Sequence, residues 1–194
     1  MGSTDKRQRR GDTRQRIQDV ALELFAEQGY EKTSLREIAE RLEVTKAALY
    51  YHFKTKEDIL TSIFDDLTRP IDELIAWGKE QPRTLAVKRE ILTRYSVILT
   101  KAAPLFRFMQ ENQATMRDLK TGESFKDRML QLLDILSDDD PATPMTAQVR
   151  CFSALFTMHG GMFVLKDADG DPEVKRKAIL EVAIDLVTQA HNGV

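Results

Sequence analysis

Apolar residues recur at the spacing of helix turns almost throughout this chain, and nowhere do they alternate between turn residues as a half-buried strand requires. That periodicity predicts an all-α fold of about nine helices. Ile17, Val20, Ala21, Leu24 and Phe25 stripe a first helix over about 12–28, closed by Gly29, with Tyr30 set to fold back onto Phe25. Ser34-Leu-Arg-Glu37 is a capping box, in which the serine hydroxyl takes an orphan N–H and the glutamate returns to the cap's own N–H. Thr45 is placed to cap a third helix. Thr55-Lys-Glu-Asp58 is a second box-like start, opening a fourth helix that reaches Trp77-Gly78 past a kink or break at Pro70.

Beyond residue 60 the helices lengthen. A fifth is expected over about 84–102, a short sixth opened by Pro104, and a seventh striped by Phe125, Met129, Leu132, Leu133 and Leu136. An eighth, over about 145–166, is apolar on nearly every side. The last is striped by Ile179, Val182, Ala183, Leu186, Val187 and Ala190. At 194 residues the chain is long enough for a small domain joined to a larger one. It has no apolar run long enough to span a bilayer, and its basic start lacks the apolar core of a secretory signal, which implies a cytoplasmic protein. The lone Cys151 sits in an apolar run and reads as a core thiol.

The charge is unevenly placed. A formal net charge of −2 argues against a protein that coats nucleic acid indiscriminately. Residues 1–16, however, hold Lys6, Arg7, Arg9, Arg10, Arg14 and Arg16 against only Asp5 and Asp12. Such an arm suits phosphates, or is simply a solvated tail.

Two helices joined by a tight turn, the second short and rich in donors, make a helix-turn-helix whose second helix fits the DNA major groove. Around the third helix, Lys46, Ala47, Tyr50 and Tyr51 share one arc, with Leu49 apart from it and turned towards the neighbouring helices. Lys46 reaches guanine acceptors or phosphate, Ala47 is small enough for the helix to approach base edges, and the tyrosine hydroxyls suit phosphate oxygens. Lys56 lies in the first turn of the fourth helix, where free N–H groups and the dipole also attract phosphate.

The stretch "GYEKTSLREIAERLEVTKAALYYHFKTKEDIL", residues 29–60, closely resembles the DNA-binding signature of the TetR family of bacterial repressors. The resemblance implies a homodimer, with an amino-terminal three-helix domain on operator DNA and a larger helical domain for a small molecule and the partner subunit. It implies phosphate contacts from Thr33, Tyr51, His52 and Lys56, base-side contacts from Arg36, Lys46 and Tyr50, and close groove approach at Ala47. Thr45, at the helix start, completes the DNA-binding set. Where the family usually has glycine in the turn, this chain has Glu43, and a left-handed conformation there costs Glu about 1 kcal/mol more than Gly.

The expected division is therefore a reading domain with its basic arm over 1–55 and a ligand-binding and dimerisation domain over 56–194. The 145–166 helix and the last helix leave too much apolar surface for a lone chain, so two helices from each subunit form a four-helix interface, with Gly160-Gly161 allowing close approach where helices cross. Candidate pocket residues are Trp77, Tyr95, Phe106, Met109, Met129, Phe152, Phe156 and His159, and a pocket they line prefers an apolar or aromatic molecule with one or two polar groups. Plain core packing is the competing role for each. No metal-ligand spacing and no nucleophile with its base is present, so neither a metal, a cofactor nor catalysis is expected. The rival readings are an architectural DNA-binding protein without an effector and a helical-bundle enzyme. The first fits poorly with near-neutral charge, the second with the missing catalytic pattern.

Overall fold

Helix α1 (Ser3–Gln28) starts ahead of the expected residue 12, so the basic segment is itself helical. The computed structural model describes residues 3–111, 121–137, 143–165 and 169–193, with side chains from Asp12 onward except at 103–107, 109–111, 121–124 and 162–163. The expected stripe of α1 faces inward, with Ile17, Ala21, Leu24 and Phe25 all buried. Gly29 ends the helix in the left-handed region (φ +90°), its N–H donating to the Phe25 carbonyl at 3.0 Å. Tyr30 then folds back onto Phe25, ring centroids 5.0 Å apart.

Helix α2 (Leu35–Arg41) opens with the complete capping box of Ser34 and Glu37. Bonding to the Ser34 hydroxyl and backbone N–H holds the Glu37 carboxyl below the usual carboxylate range. At the other end Val44 N–H donates to the Ala39 carbonyl and Glu43 N–H to that of Glu40, the paired bonds of a Schellman stop. This geometry requires a left-handed residue at position 43, and Glu43 adopts it, with φ +55°. The strain anticipated at Glu43 is thus tolerated rather than avoided. Glu43→Gly relieves it but adds freedom to the unfolded chain, so a net gain of about 0.5–1 kcal/mol is expected from denaturant midpoints. Glu43→Ala, which keeps the strain, is expected to show no gain; equal effects of the two would remove the backbone explanation.

Helix α3 (Lys46–His52) is capped by the Thr45 hydroxyl, which accepts from Ala48 N–H at 3.2 Å. Helix α4 (Lys56–Lys79) starts with a reciprocal pair: Thr55 Oγ1 accepts from Asp58 N–H, and the Asp58 carboxylate accepts from the N–H groups of Lys54 and Thr55. It continues through Pro70 as one helix rather than breaking there. Helix α5 (Leu85–Glu111) likewise runs through Pro104, so the separate sixth helix expected from that residue is absorbed into α5. A proline's fixed φ is compatible with a helix, and inside one it removes a single backbone bond. There follow α6 (Thr121–Leu136), α7 (Met145–Val164) and α8 (Pro172–Asn192), the last capped by Asp171 and stopped by left-handed Gly193. The described residues hold eight helices and no strand, and none of these helices is long and apolar enough to cross a membrane.

Packing divides the chain into two units, Met1–Asp66 with Pro104–Leu119, and Leu67–Ala103 with Lys120–Val194. In the first, Phe108 of α5 joins the aromatic core, its ring 5.6 Å from Phe25 and 6.2 Å from Tyr30. In the second, α7 and α8 pack closely, and a Cβ built at Gly161 of α7 would lie 2.9 Å from the Ile179 side chain of α8. The close approach expected at Gly160-Gly161 is therefore used by Gly161 within one chain, while a Cβ at Gly160 would lie 3.8 Å from the Phe156 ring of its own helix. Cys151 is buried in this unit, its thiol directed at the Leu136 carbonyl.

Candidate nucleic-acid interface

Leu49 fixes the orientation of α3: with 0% of its surface exposed, it anchors one side of the helix and turns the opposite side to solvent. On that outward side lie Lys46, Ala47 and Tyr51, the last 62% exposed, with Tyr50 and His52 half-buried at its edges. Lys46 Nζ sits 5.5 Å from the centre of the Tyr50 ring, and the Tyr51 and His52 rings meet edge-on at 5.3 Å. The arc read from the sequence is thus a real surface, carrying one cation, two phenols and an imidazole around a small residue.

The remaining expected contacts are placed less openly. Arg36 is exposed on α2 and paired with Glu40 at 2.7 Å, a surface ion pair that yields readily to a competing phosphate. Thr33 is buried, its hydroxyl donating to the Gly29 carbonyl at 2.9 Å and accepting from Gln28 Nε2 at 3.3 Å. Lys56 donates to the Tyr30 carbonyl at 2.8 Å and lies 4.2 Å above the Tyr30 ring, tying the first turn of α4 to the turn after α1. Arg14 of α1 lies 4.6 Å over the Phe53 ring just past α3.

In the second unit, three of the residues named as pocket candidates come together. Tyr95 O–H donates to His159 Nε2 at 2.6 Å, and His159 Nδ1 donates to the Leu155 carbonyl at 2.9 Å; this tautomer satisfies both partners. Burial holds the imidazole below its ordinary range, so it is neutral, and burial pushes the Tyr95 phenol up. Met129 Sδ lies 3.7 Å from the Tyr95 hydroxyl, and the Phe125 ring meets His159 edge-on at 5.4 Å. Trp77 belongs instead to a groove of about 370 Å³ with Pro70, Leu74, Val97 and Ile98, roofed by Arg94 at 4.0 Å over the indole. Phe152 and Phe156 stack on each other on the exposed face of α7. The side chains of Phe106 and Met109 lie outside the described residues.

A sequence profile described as "Bacterial regulatory proteins, tetR family" matches residues 17–63, the stretch that holds α2, α3 and the helix ends around them. That match covers the amino-terminal part of the chain alone, and over it the chain is similar to the TetR family. The HTH-type transcriptional regulator AcrR of Shigella flexneri is 46% identical over 83 residues, 42% of this chain, and the chain spans only 39% of that relative's length. A transcriptional regulator (TerR/AcrR family) of Aquifex aeolicus VF5 shares the fold with a TM-score of 0.67 at 25% identity, over 87% of this chain and 96% of that one. The SmeT–triclosan complex does so with a TM-score of 0.62 at 24% identity, over 92% and 91% of the two chains.

Sequence reasoning overlooked two features of the first unit. One is Phe108, which no local pattern assigns to the aromatic core around Phe25. The other is Gln18, buried on α1 and donating to Ser62 Oγ at 2.9 Å and Asp66 Oδ2 at 2.7 Å. A signal for it was available: Gln18 stands three and seven residues before Ala21 and Phe25, on the buried side of the helix.

Proposed function

We propose that this chain is a TetR-family transcriptional regulator that binds a palindromic operator as a homodimer in the cytoplasm, represses there, and is released by a small apolar or aromatic effector. The observation that carries the DNA reading is the outward arc of α3, with Lys46, Ala47 and Tyr51 exposed while Leu49 is wholly buried. Thr45, Tyr50, His52 and Arg36 border that arc. Thr33 and Lys56, already bonded inside the unit, contribute by holding its frame and the first turn of α4. Bonding of this kind fits positioning contacts, while base reading falls to the α3 side chains.

Support for the dimer is the run of exposed apolar side chains on α7, Met145, Val149, Phe152 and Phe156, at helical spacing on one face, with Val182 exposed on α8. Support for an effector is the neutral Tyr95–His159 pair between Met129 and Phe125, a polar spot in apolar surroundings of the kind that orients a ligand. The related fold of SmeT carries triclosan, an observation about that protein that agrees with this ligand class. An effector that binds better to one disposition of α4 lowers operator affinity by the same differential free energy.

The test begins with selection of bound fragments from random duplex DNA by the purified protein. Recovery of an inverted repeat is expected, and Lys46→Ala and Tyr50→Ala should each weaken binding to it by about 1–3 kcal/mol. Unchanged affinity in both variants sinks the reading, because no other exposed arc of the helix-turn-helix carries those donors.

A further inference from the structure

Gln18 is a buried polar side chain whose presence stability alone does not explain. A single amide nitrogen donates both of its hydrogens to one helix, to Ser62 Oγ at 2.9 Å and Asp66 Oδ2 at 2.7 Å, while Ser62 Oγ itself donates to the Ile59 carbonyl at 2.8 Å. Net hydrogen-bond contributions are small, and an apolar side chain of similar length would fill the same space at little cost. What the amide adds is direction. Ser62 and Asp66 stand about one turn apart on α4, and one residue of slip moves them by about 1.5 Å along the axis and roughly 100° around it. Either motion breaks both bonds, whereas an apolar contact tolerates part of it.

The clamp also sits at a particular place. Asp66 is the last residue of the first unit, and α4 continues from it into residues of the second. Pro70, one turn further on, brings no N–H to the Asp66 carbonyl, so the backbone ladder of α4 lacks a bond immediately after the clamp. Gln18 thus holds the last turn of α4 that the reading head controls.

We propose that Gln18 is a positioning residue for half-site spacing: by fixing α4 in one register and one rotation against α1, it sets the separation at which two reading heads meet DNA. This rests on the dimeric operator-binding reading above. Adding one base pair between half-sites rotates them by roughly 34° and parts them by about 3.4 Å, so a rigid joint discriminates spacings and a loose one does not.

The experiment measures affinity of the full-length protein for its selected operator and for versions with one central base pair added or removed. The wild-type chain is expected to lose at least about tenfold on the altered spacings. Gln18→Met, which keeps length and burial but donates nothing, is expected to cut that ratio to less than about threefold, and Ser62→Ala, which removes one of the two anchors, to an intermediate value. A merely structural role predicts a lower melting temperature and weaker binding to every spacing alike, with the ratio unchanged. If Gln18→Met does not fold, the Ser62→Ala ratio decides. Wild-type ratios in the folded variants overturn the proposal and leave the DNA reading intact, whereas a wild-type chain that selects no duplex overturns both.

Discussion

Phe156→Glu is expected to yield a folded monomer that no longer retains operator DNA, as the proposed dimeric function requires. Phe156 is 67% exposed in the single chain and stacks on Phe152, 55% exposed, with ring centroids 6.2 Å apart. A side chain so open contributes little to the fold of its own subunit, so helix content should stay at the wild-type level. In a two-fold interface the same residue is counted twice. Full burial of a phenylalanine is worth about 1.5–3 kcal/mol, and an unpaired carboxylate in its place adds a desolvation cost of its own. The dimer dissociation constant should therefore rise by more than about a hundredfold, measured by sedimentation equilibrium, and operator binding should fall with it. A variant that sediments as a dimer would place the subunit interface elsewhere.

Phe108→Ala acts on stability instead. Only 1% of Phe108 is exposed, and its ring fills the space beside Phe25 and Tyr30. Truncation removes the buried ring and leaves a cavity that the two remaining aromatics cannot close, for an expected loss of about 3–5 kcal/mol in denaturant unfolding. Phe108→Leu keeps most of the volume and should lose less than half as much. The loss falls on the unit that carries α3, so operator binding in Phe108→Ala should decline steeply on warming while the leucine variant keeps it. A loss below about 1 kcal/mol in the alanine variant would mean that the aromatic trio is not a core.

Local signals carried much of the first unit. The Ser34–Glu37 box, the Thr45 cap and the Thr55–Asp58 start depend on residues three apart, and all three form as the sequence indicates. The inward turn of Leu49 follows from periodicity alone. Proline was the weaker signal: Pro104 does not open a separate helix, and of the kink or break expected at Pro70 the break is absent. Burial of Gln18 was legible from its place on the helix, but its partners, 44 to 48 residues away, were not, and the partners of Phe108 lie 78 to 83 residues away. Glycine pairs show the same limit. Gly160-Gly161 announces close approach without saying whose helix approaches, and the Ile179 side chain beside Gly161 supplies that answer.

Trp77 is the chain's one tryptophan, and a guanidinium lies 4.0 Å above its face in a groove that Glu73 also lines. The Arg94 guanidinium is a defined neighbour of that ring. Any compound that lifts Arg94 away, or slides between the two, changes the colour and yield of the only indole in the molecule, which makes the unlabelled protein its own optical gauge for surveying a chemical library.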